Sequence, residues 1–261
     1  MNLAHPVLAS LLAAAALAGA GAAHAATPEE DGAAVARELV RHRTGFGDQA
    51  VTVTMELRNA GGEAARKEIR VKTLERQGDA PATVVILEAP SDVKGTALLS
   101  LGDDQWLYLP ASHRVRRIAS SNRSGPFLGS EFSYEDLMGD KPDRYRWRLT
   151  GKKACPAGGD CLVVETTPTY EGSGYSRRVL WVEAGTYRVM QVDYFDVKGD
   201  ALKTLVYAGY QTYAGGHDRA RTLTMTNHVT GKSTVLRFGD YAFGNGFTEA
   251  DFNKERLAQA R

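Results

Sequence analysis

From residue 51 onward, apolar and polar residues alternate with a period of two, and turn sequences interrupt the alternation at short intervals. In the first run, Val51, Val53, Met55 and Leu57 alternate with polar residues. Such alternation is typical of a strand with one buried and one exposed face. About thirteen such runs, joined by turns rich in Gly, Asn and Asp, predict a mainly β protein, either a sandwich or a barrel. We place these strands at residues 51–58, 66–76, 83–88, 96–101, 105–109, 115–118, 145–150, 162–167, 177–183, 188–196, 202–213, 219–227 and 233–243.

Two segments depart from the alternation near the ends of the mature chain. Thr27-Pro28-Glu29-Glu30 predicts a helix start, with Thr27 as the cap, Pro28 in the first position and Glu30 completing a capping box. The helix is expected to end before Gly45. A shorter helix is expected to start at Thr248.

A third segment, residues 127–138, interrupts the strands in the middle of the chain. We expect one or two short helices here, with Ser130 and Ser133 as candidate caps. The segment is rich in large apolar side chains, namely Phe127, Leu128, Phe132, Tyr134, Leu137 and Met138. Two interpretations stay open: the segment plugs one end of the core, or it is a lid over an apolar cavity.

The first twenty-five residues have the composition of an export leader. An apolar, Ala-rich run from Val7 to Ala20 is followed by Ala23-His24-Ala25, a typical signal-peptidase site. We predict a signal peptide at residues 1–25 and a single mature domain at residues 26–261. Since no cysteine precedes Cys155, cleavage is expected to release a monomeric protein into the periplasm without a lipid anchor. No later stretch reaches the ~20 apolar residues that a membrane-spanning helix needs.

Cys155 and Cys161 are the two cysteines of the chain, and they flank a Pro- and Gly-rich turn between two predicted strands. In an exported protein this spacing predicts a disulfide that closes a hairpin. The alternatives, free thiols or metal ligands, are less consistent with an oxidising compartment.

Composition and motifs argue against several functions. The chain has 32 basic and 31 acidic residues, which gives no support to nucleic-acid binding. His42, His113, His217 and His228 lie outside metal-ligand spacing, and no catalytic motif is present. We therefore predict no catalytic residues, no metal and no cofactor. A catalytic triad is defined by geometry rather than by sequence order, so a lipid hydrolase remains an alternative.

The densest positive patch is the run from His113 to Ile118. Strand alternation places Arg114 and Arg116 on one face and Arg117 on the other. We expect either a solvated strand balanced by nearby acids, or a rim that meets anionic headgroups or an acidic partner. The candidate balancing acids are Asp103, Asp104, Glu131, Glu135 and Asp136.

Five motifs resemble the outer membrane lipoprotein-sorting protein family, a LolA-like group that often accompanies RND/MmpL-type transporters. They are SDVKGTALL (91–99), DQWLYLP (104–110), SGPFLGSEFSYEDL (124–137), SGYSR (173–177) and TGKST (230–234). The resemblance covers approximately residues 51–252. It implies a LolA/LolB-like fold, an incompletely closed antiparallel β-barrel with an N-terminal helix and short lid helices over an apolar interior.

The resemblance also implies a periplasmic carrier for lipid or acylated-protein cargo, with an inner-membrane RND/MmpL-type transporter as its partner. The candidate cavity and lid residues are Trp106, Tyr108, Phe127, Leu128, Phe132, Tyr134, Leu137, Met138, Trp181 and Met190. Each of these is equally compatible with an ordinary core position. The alternative function is a periplasmic adaptor of a membrane transporter that binds no lipid.

Overall fold

The computed structural model describes Met1, residues 26–138 and residues 141–259. Apart from Met1, the predicted leader at residues 1–25 lies outside the described residues, so the signal peptide stays a prediction. After residue 26 the described chain begins with helix α1 (Pro28–Arg43). Thr27 and Glu30 form the predicted capping box, and the helix ends at Thr44, just before Gly45.

The chain then forms fourteen antiparallel strands within the described ranges. The first six are β1 (Asp48–Arg58), β2 (Ala64–Leu74), β3 (Ala82–Ala89), β4 (Ala97–Leu101), β5 (Asp104–Leu109) and β6 (Arg114–Arg117). The others are β7 (Tyr145–Ala154), β8 (Asp160–Pro168), β9 (Tyr175–Glu183), β10 (Val189–Asp196), β11 (Ala201–Tyr213), β12 (His217–Asn227), β13 (Ser233–Phe238) and β14 (Ala242–Phe243). The predicted last strand, 233–243, is divided because the chain turns at Gly239 and Asp240 before β14 pairs with β1.

All these strands belong to one sheet, in which chain neighbours are also sheet neighbours almost throughout. The strand order is β6-β5-β4-β3-β2-β1-β13-β12-β11-β10-β9-β8-β7. Pairing of β1 with β13 joins the two halves, and β6 and β7 form the two outer edges. Because these edges do not pair with each other, the sheet is not closed, which confirms the expected incompletely closed antiparallel architecture.

The connection from β6 to β7 must therefore run from one edge of the sheet to the other. We call the described residues of this connection, 118–138 and 141–144, the crossing segment. It contains short 3-10 helices at Ser120–Asn122, Glu135–Leu137 and Pro142–Arg144. Within 127–138, one short helix forms where one or two were expected, and the remainder is a turn closed by a bridge between Pro126 and Ser133.

The two predicted caps of this segment have different roles. Ser133 caps the Glu135–Leu137 turn, since its Oγ accepts from the Asp136 backbone N–H and its own N–H donates to Asp136 Oδ2. Ser130 caps no helix. Its hydroxyl donates to the Phe127 carbonyl at 2.7 Å and thereby closes the preceding turn.

Apolar side chains cover both faces of part of the sheet. The main core lies on the inner face and includes residues of α1, such as Val35 and Leu39, together with Phe127 and Phe132 of the crossing segment. A second core lies on the outer face of β3–β5, where Phe252 and Leu257 of the C-terminal tail cover it. The tail follows a 3-10 helix at Glu249–Asp251 that starts at Thr248, as predicted.

The tail is attached to the sheet through Asp48, the first residue of β1. Its carboxylate accepts backbone N–H bonds from Asn245 (2.6 Å), Gly246 (2.8 Å) and Phe247 (3.0 Å), and one from the Asn245 side chain (2.8 Å). Burial by itself would raise the pKa of Asp48, but these bonds outweigh it and hold the pKa below its ordinary value.

Replacing Asp48 with Asn is expected to lower the free energy of unfolding by about 1–3 kcal/mol at neutral pH, because the amide is a poorer acceptor for these four bonds. The folded-state pKa is depressed, so ionised Asp48 stabilises the fold above its unfolded pKa of about 3.9. That stabilisation is lost as the pH falls through the lower folded pKa. Urea titrations at neutral and acidic pH should show the difference from wild type shrinking in acid. Asp200→Asn, in an exposed turn, is the control, and an equal difference at both pH values would contradict the prediction.

The predicted disulfide is present. Cys155 and Cys161 are joined with an S–S distance of 2.04 Å at the turn between β7 and β8. It closes the hairpin that β7 and β8 form at one edge of the sheet.

Candidate functional site

The inner face of the sheet is covered by the apolar side chains of the crossing segment. Phe127 and Phe132 are 1% and 4% exposed, and both belong to the main core. Leu128, Tyr134 and Leu137 are half-buried and pack against the same core. The sequence predicted these five residues as lid or cavity residues, and the structure brings them together on one surface.

Polar contacts, rather than strand pairing, hold the crossing segment on this face. Lys67 Nζ on β2 donates to the Leu128 carbonyl at 2.6 Å. Thr234 on β13 accepts from the Glu131 backbone N–H at 3.0 Å, and Gln105 on β5 donates to the Tyr134 carbonyl at 2.9 Å. The contacts therefore come from strands on both sides of the sheet centre.

A further contact is a buried ion pair between Lys203 on β11 and Asp136. The side chains are 5% and 4% exposed, and Lys203 Nζ donates to Asp136 Oδ2 at 2.6 Å and to the Glu131 carbonyl at 3.0 Å. Tyr175 donates its hydroxyl proton to Asp136 Oδ1 at 2.8 Å. Burial, and then the adjacent carboxylate, raise the pKa of Tyr175 well above its ordinary value, so it stays a donor.

Glu135 makes a second buried contact, to the loop between β8 and β9. Its carboxylate accepts from Ser173 Oγ at 2.5 Å, from the Gly174 backbone N–H at 2.8 Å and from the Tyr170 hydroxyl. Burial and the neighbouring Tyr145 and Glu135 raise the pKa of Tyr170. Glu135 and Asp136 therefore fix two different elements against the crossing segment.

This arrangement corrects one sequence-based expectation. Glu135 and Asp136 were expected among surface acids that balance the basic strand β6, but they are internal partners of Ser173 and Lys203. Glu131 likewise accepts from the Asn227 side chain at 2.7 Å instead of balancing β6. Strand alternation contains a signal that could have revealed this, because Lys203 shares a strand face with the buried Leu205.

The two remaining acids of the five expected do neutralise arginines. Asp104 pairs with Arg117 of β6, and Asp103 pairs with Arg144 of the crossing segment. All four residues of β6 are exposed. Arg114 and Arg116 make no ion pair with the described part of the chain. Charged residues on an edge strand also discourage edge-to-edge pairing with other sheets.

Three of the other residues predicted to line the cavity lie on the opposite face of the sheet from Phe127. Trp106 and Tyr108 lie in or against the second core, on the outer face. Trp181 lies between Leu180 and Val182 of the main core, so its side chain is on the outer face, where Nε1 donates to Asp193 at 2.9 Å. Met190 is half-buried at a bulge of β10. Met138, at the end of the crossing segment's short helix, is also half-buried.

Neither of two open pockets that the described residues form on the surface is lined by the apolar residues of the crossing segment. One, of about 430 Å³, is lined mainly by charged residues such as Asp103, Arg123 and Lys141. The other, of about 570 Å³, lies between Trp106 and Arg117 of β5–β6 and Lys254 of the tail. The chain's own side chains fill the inner face, since Phe127 and Phe132 occupy it.

The described ranges contain no group of three or more His, Cys, Asp or Glu residues arranged to hold a metal ion. Within the same ranges, none of the helices combines the length and apolarity that crossing a bilayer requires.

Comparison with known proteins identifies relatives that span nearly the whole chain. A family model described as "uncharacterized protein" matches residues 79–259. A crystal structure from Vibrio parahaemolyticus, described as a candidate outer membrane lipoprotein-sorting protein domain, is 43% identical with a TM-score of 0.85. That match covers 88% of this chain and 99% of the Vibrio chain. No curated protein matches the sequence.

Two further crystal structures share the fold. A DUF1329 family protein from Desulfovibrio piger is 27% identical with a TM-score of 0.83, covering 89% of this chain and 100% of its own. A LolA superfamily protein from Nitrosomonas europaea is 19% identical with a TM-score of 0.72, covering 86% of this chain and 98% of its own. The open antiparallel sheet, its N-terminal helix and these matches agree. The chain therefore belongs to the same family as the outer membrane lipoprotein-sorting protein domain from Vibrio parahaemolyticus, and its fold is LolA-like.

Proposed function

We propose that this protein is a periplasmic carrier that binds acyl chains of a lipid or lipoprotein on the inner face of its sheet. The crossing segment acts as the lid. The observation that carries the proposal is that Phe127 and Phe132 fill the inner face from a segment whose described residues form no ladder with any strand. Such a segment can leave the sheet without breaking strand pairing, and its departure would uncover an apolar surface.

If an acyl chain replaces the crossing segment on the inner face, the free energy gained by burying the chain is comparable with the free energy lost by releasing the segment. Each methylene of an acyl chain that leaves water contributes about 0.8 kcal/mol, so a long chain can replace the burial of two phenylalanines. Against this stand the contacts of Lys67, Lys203 and Gln105 with the crossing segment, at about 1–3 kcal/mol each. These contacts would keep the empty protein closed and its apolar surface away from water.

The surroundings of the lid suit delivery between membranes. The predicted leader and the family relationship support a periplasmic location. The exposed Arg114 and Arg116 on the free edge β6 would meet an acidic surface, for which an inner-membrane RND/MmpL-type transporter is our proposed partner.

One observation favours the second candidate, an adaptor of a membrane transporter that binds no lipid. The inner face is filled by the chain's own side chains, and the two surface pockets described are open, one of them lined mainly by charged residues. An adaptor would keep the crossing segment in place permanently and would use its charged edge for binding.

Native mass spectrometry of protein purified from periplasm distinguishes these candidates. A carrier is expected to retain lipid at about one molecule per chain and to take up a fluorescent fatty acid. Leu137→Glu, which places a charge on the lid's apolar face, is expected to reduce retention and uptake at least fivefold. Leu101→Glu is the matched control, because Leu101 is also half-buried but packs against the second core. Protein that is free of lipid and takes up no fatty acid would support the adaptor instead.

A further inference from the structure

A cluster of rings lies where β1, β12, β13 and β14 come together. We call this cluster the aromatic rim, and its members are Phe46, Tyr213, His217, Phe238, Tyr241 and Phe243. Neighbouring ring centroids are 5.1–6.4 Å apart. All six residues are half-buried, so the cluster is neither a closed core nor a scatter of surface rings.

Arg219 lies within this aromatic rim. Its guanidinium carbon is 5.1 Å from the ring centre of Phe46, 5.7 Å from that of Phe243 and 5.9 Å from that of Tyr241. Nε donates to the Gln49 side chain at 3.0 Å and Nη1 to the Asp218 carbonyl at 2.9 Å. Nη2 makes no hydrogen bond, and Arg219 no ion pair, with the part of the chain that is described.

The acids near Arg219 already have other partners. Asp218 accepts from Arg188 Nε at 2.8 Å, and Asp240 pairs with Arg221 at 2.5 Å. Glu75 accepts the backbone N–H groups of Gly45 and Gly47 at 2.7 and 2.8 Å. Since Arg43 and Arg221 lie in the same region, the neighbourhood has more positive than negative charge.

Arg219 is also poorly solvated. Burial lowers the pKa of its guanidinium, although the group remains charged at any physiological pH. Half-buried guanidinium groups usually pair with a carboxylate or a phosphate, since charge-assisted bonds are the strongest that such a group forms. Here that partner would have to come from outside the described chain.

The aromatic rim adjoins the main core. Phe238 and Tyr241 pack against that core, and along β12 the strand alternates inward through Leu223 and Met225. Asn227, at the other end of β12, bonds to Glu131 of the crossing segment. Residues 219 and 227 are eight steps apart along β12, about 27 Å of strand, so the aromatic rim and the lid lie at opposite ends of the inner face.

From this placement we infer that Arg219 and the aromatic rim bind the anionic headgroup, a carboxylate or phosphate, of an amphiphile whose acyl chain enters the main core. The inference rests on the proposed carrier function for the acyl chain. It adds that the cargo has one negative headgroup, which binds at the end of the sheet away from the lid. The rings provide an apolar surround in which the guanidinium bonds are weakly screened.

Binding of decanoate, decyl phosphate and the uncharged decanol to the full mature chain tests the inference, for wild type and for Arg219→Gln. Wild type is expected to bind both anionic amphiphiles at least tenfold more tightly than decanol. Arg219→Gln is expected to bind the anions about tenfold more weakly than wild type, the equivalent of one charge-assisted bond. Its affinity for decanol should fall by less than twofold. Arg219→Lys should recover part of the loss. Arg237→Gln, on the exposed face of β13, is the control and should bind like wild type.

The other outcomes separate the two proposals. If Arg219→Gln binds all three amphiphiles like wild type, or loses affinity for the anions and decanol equally, the proposed headgroup site is wrong. The proposed carrier function is unaffected by that result. If wild type binds none of them, both are wrong. Inorganic phosphate and acetate are added as competitors. Displacement of decanoate by either at similar affinity would show a small-anion site and overturn the assignment to an amphiphile, whereas no displacement supports it.

Discussion

Replacing Lys203 with Met is expected to lower the free energy of unfolding by about 3–5 kcal/mol, the largest effect we predict for a single polar residue. The substitution leaves the Asp136 carboxylate buried without its counter-charge, and breaking one side of a buried pair is much costlier than losing a surface pair. It also removes a donor from the Glu131 carbonyl. Urea unfolding, followed by far-ultraviolet circular dichroism, measures the change.

Two further variants isolate the buried charge as the cause. Asp136→Asn in the Lys203→Met background should recover most of the lost stability, because a neutral amide costs less to bury and still accepts from Tyr175. Lys198→Met, in the exposed turn between β10 and β11, should change stability by less than about 0.5 kcal/mol. A double variant as unstable as the single one would show that side-chain packing, rather than the unpaired charge, dominates.

Replacing Phe127 with Ala is expected to lower the free energy of unfolding by about 3–5 kcal/mol, because its ring is almost fully buried and the surrounding β-sheet cannot collapse into the space. The ring also contacts Tyr134 edge-on, with centroids 5.8 Å apart. The variant creates a cavity at the point where the proposed lid meets the inner face. It should therefore bind a fluorescent fatty acid more tightly than wild type, since less apolar contact has to be released.

Phe195→Ala is the matched control for this substitution. Phe195 is half-buried and its ring lies under the Arg177 guanidinium at 3.4 Å, outside the main core. Phe195→Ala should lower the free energy of unfolding by less than about 2 kcal/mol and leave fatty-acid uptake unchanged. If Phe127→Ala also costs less than 2 kcal/mol and does not alter uptake, the ring is not the principal plug of the inner face.

Much of the strand framework could be predicted because its signals are local. Each predicted run has a strand within a few residues of the expected position, since alternation and turn residues act over neighbouring positions. The capping box at Thr27 and Glu30 formed for the same reason, as did the disulfide between Cys155 and Cys161. Only the last run divided, at a Gly-Asp turn too short to separate two predicted strands clearly.

The candidate site was only partly predictable. The apolar residues from Phe127 to Leu137 were identified because large rings without alternation are unusual in an all-β chain. Trp106, Tyr108 and Trp181 lie instead on the outer face, because alternation shows that a strand has two faces but does not show which of them meets the main core. When a C-terminal tail covers the second face, both sets of residues are apolar.

The sequence by itself determined where strands and caps form and which cysteines pair, because those interactions join residues close together in the chain. The tertiary structure alone decided that β6 and β7 lie at opposite edges, and hence that the crossing segment must cross the inner face. That crossing turns Glu135 and Asp136 from expected surface acids into buried partners of Ser173 and Lys203. Their burial is stable only because groups 38 and 67 residues away supply the compensating bonds, and no local pattern contains that information.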